Sequence, residues 1–258
     1  MFIFDTVFTV SKLKIYFSIA GISIAMSFYG QIPQEQVMMA RITKEVWGGV
    51  SLHSQGMGVN ITSAKFKTFK TKRLFNIDLL GIKHEKEYKI FGSLDENAKR
   101  YVFGKLNSLY SLRVGYGFRK VIYEKFRHKG IQIARNWSFG PSIGLTKPVY
   151  LEVFKIDQSG NVVGVATEKY NPEKHNIYNI YGRGPWSSGL IESRLYAGLY
   201  FKVGLEFEYG TEREVINALE LGFAIDAYRQ KITIMTDIDS KRFYPSVYMN
   251  FSIGTKFY

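Results

Sequence analysis

The stretch Leu199–Tyr209 reads LYFKVGLEFEY, and it decides the fold class of this 258-residue chain. Large apolar side chains occupy every second position of the stretch, while Lys202, Glu206 and Glu208 fall on the positions between them. This period of two predicts a β-strand with one apolar face and one charged face. The same residues on a helix would place charge on every side.

The same alternation recurs in the stretches 110–119, 131–145, 219–226 and 246–257. Most of these exceed the ~5–6 residues of a typical globular strand and fit the ~9–11 residues with which a strand crosses a bilayer. Their second face is small and polar, rich in Gly and Ser, which suits the filled interior of a narrow barrel. The pattern favours a membrane barrel, while a soluble sandwich with its apolar faces inward stays open on periodicity alone.

The composition agrees with a β protein that meets an apolar phase on its outside. The chain has 20 Phe, 18 Tyr and 24 Gly but only 6 Pro, and its mean hydropathy is −0.11. Apart from one N-terminal stretch, no apolar run reaches the ~18 residues of a spanning helix. The absence of cysteine excludes disulfides, thiolate catalysis and cysteine metal sites.

The N-terminus has the pattern of a targeting segment. Lys12 and Lys14 precede an apolar stretch over 15–29, as in a secretory signal peptide. Cleavage fits either Ala25–Ser27 or Gly30, and an uncleaved helical anchor is the alternative. We therefore predict a signal peptide over 1–30 and an outer-membrane barrel domain over 31–258.

We predict an all-β fold, a closed antiparallel up-and-down transmembrane β-barrel of about ten strands, with eight or twelve also compatible. With both termini periplasmic, the pattern places short inner turns at 104–106, 147–148 and 210–213 and longer outer loops at 84–97, 122–129, 157–194 and 230–242. The ten strands are expected near 45–53, 57–67, 72–83, 98–104, 107–121, 130–146, 149–156, 195–209, 213–229 and 243–258.

Seven charged residues share the polar faces of these strands and form a predicted lumen cluster. Buried charges must be paired, because an isolated one is very costly. We expect a structural salt-bridge plug rather than an ion path or selectivity ring, since a narrow barrel has little room for water. The cluster comprises Arg113, Arg119, Lys202, Glu206, Glu208, Glu220 and Asp226.

Two further groups of residues are predicted to meet the surroundings. Arg135 and Trp137 fall on the lipid face near the outer rim, where they contact lipid or lipopolysaccharide. Basic loops behind a signal peptide favour anionic lipopolysaccharide over nucleic acid. The long 157–194 loop carries Tyr170, Tyr178, Tyr181 and Trp186, and we predict that it docks other outer-membrane proteins or packs over its own barrel.

No motif in the chain predicts catalysis. The four histidines lack a metal-ligand spacing, and His53 near Ser51 and Ser54 is the nearest approach to a nucleophilic pair. Gly182–Pro185 lacks the strand–loop–helix setting of a phosphate cradle. We therefore expect no catalytic residue, no metal and no cofactor, and predict that the chain is not an enzyme.

Several local strings of the chain are distinctive when taken together. They are HEKE at 84–87, YVFGKLN at 101–107, KPVYLE at 147–152, HNIYNIYGRGPW at 175–186, FEY at 207–209 and ALELGFAIDAY at 218–228. Through these strings the chain resembles a family of small outer-membrane barrel proteins from Bacteroidota, over most of its length from about residue 45. The family is described by location rather than activity, and some small barrels of this phylum are subunits of barrel-assembly or secretion machines.

The resemblance implies a non-enzymatic scaffold or accessory subunit of a larger outer-membrane complex. Two alternatives are a narrow channel for small solutes and, less favoured, a lipid-modifying enzyme at the outer rim.

Overall fold

A computed structural model describes residues 43–257 apart from 69, 93–94, 96–97, 126–129, 159–160, 211–213 and 237. The predicted signal peptide over 1–30 lies outside the described residues. Eight antiparallel strands close into a barrel. They are β1 (Lys44–His53), β2 (Gly56–Phe66), β3 (Thr71–Ile82), β6 (Asn107–Tyr123), β7 (Gln132–Pro148), β11 (Arg194–Glu208), β12 (Val215–Ile232) and β13 (Lys241–Phe257).

Each barrel strand pairs with the barrel strands before and after it in the chain, and β13 returns to pair with β1. This last ladder runs from Lys44 opposite Phe257 to His53 opposite Tyr248. Closure leaves no strand edge along the wall, so backbone groups there find partners within the sheet. The predicted all-β, closed, antiparallel up-and-down architecture is confirmed.

The alternation seen in the sequence separates the two sides of the wall. Phe201 and Phe223 are 47% and 66% exposed on the outside, and Phe207 is half-buried there. The residues between them, such as Lys202 and Glu206, are buried inside. The outward apolar face is therefore confirmed, and a sandwich with an inward apolar core is excluded.

The barrel has the eight strands of the compatible alternative rather than the expected ten, because two of the predicted segments leave the wall. The segment predicted at 98–104 contains only the two-residue strand β5 (Tyr101–Val102), which pairs with β4 (Lys89–Ile90). The segment predicted at 149–156 becomes β8 (Tyr150–Ile156), which pairs with β9 (Val162–Lys169) and β10 (Ile180–Arg183). With two and seven residues, both strands are too short to cross a bilayer.

Losing these two strands moves several connections to the other end of the barrel. The end that holds residues 44 and 257, called the terminus end, also holds the connections β2–β3, β6–β7 and β11–β12. The opposite end, called the loop end, holds 83–106, 149–193 and 233–240. The predicted inner turns at 104–106 and 147–148 therefore lie at the loop end, and the predicted outer loop 122–129 begins at the terminus end.

The two longest connections, 83–106 and 149–193, fold into their own small sheets, and together they are called the cap. Their shared apolar cluster includes Tyr101, Leu151, Val153, Tyr170 and Ile180. An isolated bridge between Lys105 and Met235 joins the cap to the β12–β13 connection. The cap is thus a packed structure with its own core rather than a set of open loops.

Two apolar clusters lie inside the barrel, one toward each end. Trp47, Leu74 and Ile216 belong to the cluster at the terminus end, and Leu109, Tyr228 and Ile232 to the cluster at the loop end. Among the described residues, no helix has the length and apolar character needed to cross a membrane.

Candidate functional site

The structure places all seven residues of the predicted lumen cluster inside the barrel. Each is at most 8% exposed, and Asp226 is fully buried. They form one network nearer the terminus end and two further groups, the Arg113–Asp226 pair and the contacts of Glu220.

The network nearer the terminus end is centred on Arg119. Its Nη2 donates to Glu206 Oε1 at 2.5 Å and to Glu208 Oε2 at 3.1 Å. Lys256 and Lys125 donate to Glu208 Oε1 at 2.7 and 3.2 Å. One arginine and two lysines therefore surround Glu208, so its charge is compensated without water.

The two further groups are centred on Asp226 and on Glu220. Arg113 binds Asp226 with two nitrogens, and its Nε donates to Oδ1 at 2.9 Å. Glu220 accepts hydrogen bonds from the Tyr248 hydroxyl at 2.7 Å and from Asn250 Nδ2 at 3.2 Å. Lys202 Nζ lies 3.6 Å from Glu220 and 4.6 Å from the centre of the Tyr248 ring. In the Arg113–Asp226 pair, the planar guanidinium group matches the planar carboxylate, and two parallel hydrogen bonds make the contact stronger and more directional.

Five further interior charges were missed by the sequence reasoning. Lys72 donates to both oxygens of Glu45 at 2.6 Å, deep in the interior. The alternation of inward and outward positions along the strands would have predicted most of them. Asp78, for example, lies between Ile77 and Leu79 just as Lys202 lies between Phe201 and Val203. The missed residues are Glu45, Lys72, Asp78, Lys125 and Lys256.

With these additions, the described interior contains six carboxylates and six cations, so its formal charge is zero. The carboxylates are Glu45, Asp78, Glu206, Glu208, Glu220 and Asp226, and the cations are Lys72, Arg113, Arg119, Lys125, Lys202 and Lys256.

The space left between these side chains is small. A cavity of about 20 Å³ lies between Trp47, Asn76, Asn136, Lys202 and Glu220. Such a volume holds about one water molecule. The arrangement is that of a filled interior whose formal charges balance, and every one of these charged residues except Asp78 forms an ion pair with another of them.

Arg135 and Trp137 lie on the outer face, but Arg135 does not lie at the end of the barrel opposite the termini, where the sequence placed it. Arg135 is the fourth residue of β7 and pairs with Lys120 near the end of β6, so it lies at the terminus end. Trp137 packs on Phe118 and Phe139, with ring centres 5.0 and 6.1 Å away. The error follows from the segment 98–104, because removing this one strand from the wall reverses the direction assigned to β6 and β7.

The cap separates the four aromatic residues of the predicted docking loop. Tyr170 is 6% exposed within the apolar cluster of the cap, so its prediction as a docking residue is wrong. Tyr181 is half-buried, and the hydrogen bond of its hydroxyl to Asp95 raises the pKa of Tyr181. Tyr178 and Trp186 are 91% and 60% exposed. Of the four predicted docking residues, Tyr178 and Trp186 are therefore the two whose side chains are mostly exposed to a partner.

Trp186 is held in place although its ring faces outward. Lys147 Nζ donates to the Trp186 carbonyl oxygen at 2.6 Å and lies 5.2 Å from the ring centre. The indole Nε1 donates to the Tyr110 hydroxyl at 3.3 Å. The tryptophan therefore presents an ordered apolar surface at the loop end.

Glu192 ties two cap segments together at the surface. Lys169 donates to it at 2.6 Å, and the Tyr150 hydroxyl donates to its other oxygen. These two hydrogen bonds lower the pKa of Glu192. The hydrogen bond between the Tyr150 hydroxyl and Glu192 also raises the pKa of Tyr150.

The structure brings no nucleophilic pair together at His53. Both ring nitrogens are buried, and neither has a hydrogen-bond partner among the described residues. No group of three histidine or acidic side chains in the described part of the chain is arranged to hold a metal ion.

Comparisons with known proteins find similarity only among solved structures. No protein-family model matches the chain, and no curated protein matches its sequence. Ail, the attachment invasion locus protein of Yersinia pestis, is 9% identical, and the match covers 84% of this chain and 100% of that chain at a TM-score of 0.42. Neisserial surface protein A is 10% identical, with 83% and 96% covered at a TM-score of 0.38. At these identities and TM-scores, no role of either protein extends to this chain.

Proposed function

We propose that the chain is an integral outer-membrane β-barrel with its terminus end toward the periplasm. Apolar side chains at least 37% exposed surround the wall on all eight strands, whereas the largest apolar patch of a soluble monomer is normally ~300–600 Å². They include Val50, Leu52, Val59, Ile61, Phe75, Leu79, Leu112, Tyr116, Phe139, Ile143, Leu199, Phe201, Leu221, Phe223, Val247 and Phe251.

The wall and the interior together support this location. A soluble protein would turn its six buried carboxylates outward to water and its phenylalanines inward, because that exchange avoids the desolvation of charge. The observed opposite arrangement is stable where hydrocarbon surrounds the wall. Density-gradient fractionation of cells tests the location, and a mature chain recovered in the aqueous fraction would contradict it.

Within the membrane, the proposed role is that of a non-enzymatic scaffold or accessory subunit that binds another protein through the cap. The carrying observation is that the cap segment 177–191, anchored in the cap core by the buried Ile180, carries several highly exposed apolar side chains. Ile191 is fully exposed, Tyr178 is 91% exposed and Trp186 is 60% exposed. Exposed aromatic and aliphatic side chains on an ordered support are characteristic of protein interfaces. Membership of the Bacteroidota family and of a barrel-assembly or secretion machine stays a prediction.

Site-specific photo-crosslinking in cells tests the scaffold role. A photoreactive amino acid at position 178 or 191 should give one discrete protein adduct, while the same group at the exposed Lys89 of β4 gives none. Heat-dependent migration in gels checks that each variant is folded. Folded variants that give no adduct from 178 or 191 would contradict the docking role.

The channel alternative makes a separate prediction. Because charged side chains fill the interior and the cavity beside Lys202 and Glu220 is only about 20 Å³, purified protein in a planar bilayer should show no reproducible open-state current. Such a current would instead assign a transport role to the interior charges.

A further inference from the structure

The outer face of the barrel carries a row of cations at the terminus end, called the basic arc. It occupies five neighbouring strands, β1, β2, β3, β6 and β7, and each member lies within four residues of the terminus end of its strand. All five side chains are exposed. The members are Lys44, Lys65, Arg73, Lys120 and Arg135.

Strand register places like charges directly beside one another in the basic arc. Lys65 is the paired neighbour of both Lys44 and Arg73. Lys120 is the paired neighbour of Arg135. Like charges directly opposite each other on adjacent strands are destabilising unless an anion lies between them.

No carboxylate of the described residues supplies that anion. None of the five members of the basic arc forms an ion pair with a described residue. Glu45, on β1, points inward and is bound to Lys72. Glu124, just after β6, is exposed but forms no ion pair with a member of the arc. Among the described residues, the cations of the arc are therefore left without a carboxylate partner.

The composition just above the arc indicates what lies against it. Phe118 and Trp137 are the next outward residues on β6 and β7, and their rings are 5.0 Å apart. Lys67, in the adjoining turn, lies 5.8 Å from the Phe118 ring centre. Aromatic rings beside lysine and arginine at the edge of an apolar wall mark the headgroup level of a bilayer.

The remaining three strands provide an internal comparison. At the same end, the outward residues of β11, β12 and β13 include Phe207, Asn217 and Thr255. None of the described outward residues within four positions of the terminus end of these three strands is charged. Among the described outward residues of the eight strands, the cations at this end therefore lie on one side of the barrel. A general requirement for solubility would not produce this asymmetry.

We propose that the basic arc binds the phosphate groups of anionic phospholipid in the membrane leaflet at the terminus end. This inference rests on the proposed membrane location. The arc continues the apolar wall without a break, so its ligand must carry a negative charge at the edge of hydrocarbon, as a phospholipid does. Phosphates between paired cations would replace repulsion by charge-assisted hydrogen bonds.

The test uses the full mature chain in nanodiscs of phosphatidylcholine that contain a minor fraction of phosphatidylglycerol. Native mass spectrometry then counts the lipids that the released protein retains. We expect phosphatidylglycerol to be enriched several-fold over its share of the nanodisc. Each cation at a membrane surface contributes about a fivefold effect on anionic-lipid affinity, so R73Q/K120Q/R135Q should abolish the enrichment.

Two variants keep this test decisive. K89Q/K155Q/R183Q removes three exposed charges from the cap and should leave the enrichment unchanged. R73K/R135K retains the charges and should preserve most of the enrichment. This variant distinguishes the loss of positive charge from misfolding as the cause of a lost enrichment. Equal enrichment in the wild type and in folded R73Q/K120Q/R135Q would overturn the proposal.

Other outcomes are equally distinct. Soluble polyglutamate that binds the arc at physiological salt, without enrichment of phosphatidylglycerol, would replace the lipid with an acidic polymer and overturn the proposal. Failure of the wild type to insert into any lipid would instead contradict the proposed membrane location. Insertion without enrichment would remove only the lipid site.

Discussion

The barrel interior and the cap treat charge in opposite ways. Inside the barrel, Arg119 and Glu208 form an ion pair whose side chains are each 1% exposed. In the cap, Lys169 and Glu192 form a pair whose side chains are 56% and 45% exposed. Both pairs are close contacts, but only the side chains of the Arg119–Glu208 pair are shielded from solvent.

The difference shows where the chain depends on exact pairing. An exposed pair can exchange its partner for water, so it contributes ~0–1 kcal/mol. A buried charge that loses its partner has no such substitute and costs several kcal/mol. The interior should therefore be intolerant of single changes, whereas the cap surface should accept them.

The largest expected effect comes from Arg119→Met. The change leaves Glu206 without its cation and Glu208 with only two of its three, and should lower the free energy of unfolding by about 3–5 kcal/mol. Urea unfolding in lipid vesicles, followed by tryptophan fluorescence, measures it. Lys169→Met is the matched change in the cap and should cost at most ~1 kcal/mol. Equal costs would break the contrast between the two regions.

A smaller effect is expected from Tyr248→Phe. The variant removes the hydroxyl that donates to Glu220 at 2.7 Å, while Asn250 and Lys202 remain. Loss of a hydrogen bond to a buried charge should cost about 1.5–3 kcal/mol. Tyr178→Phe on the cap serves as control and should be neutral in the same unfolding measurement.

The close approach of the strands can be tested with two glycines. A Cβ on Gly140 of β7 would overlap the Val114 carbonyl oxygen and lie 2.8 Å from Gly115 Cα. Gly140→Ala should therefore cost about 1–3 kcal/mol through overpacking. Gly164 in β9 has open space around it, so Gly164→Ala should change stability by less than ~0.5 kcal/mol. A neutral Gly140→Ala would show that the wall can widen.

The smallest effect concerns pH at the cap. The pKa of Glu192 is lowered from 4.5 by hydrogen bonds from Lys169 and Tyr150. A lowered pKa in the folded chain means that the contact is fully present above pH 4.5 and is lost as pH falls through the lower folded value. Carboxyl NMR titration should show the pKa of Glu192 rising toward 4.5 in Lys169→Met. An unchanged pKa in that variant would remove lysine as its cause.

Local alternation was sufficient to predict which side of the wall most charges occupy. Lys202, Glu206 and Glu208 lie between outward apolar residues in the sequence, and the structure places all three inside. The partners were not predictable in the same way. Arg119 binds Glu206 from a position 87 residues away in the chain, and no local pattern encodes that distance.

The sequence by itself determined the class of fold, because the period of two is a property of each strand alone. Only the tertiary structure decided that eight strands close the wall, since closure depends on which distant strands pair. Tyr150–Ile156 alternates as a wall strand does, yet it finds its hydrogen bonds in β9 and β10. The loss of 98–104 from the wall reversed β6 and β7 and so set the end at which Arg135 lies, while the loss of Tyr150–Ile156 restored the predicted direction of the strands that follow.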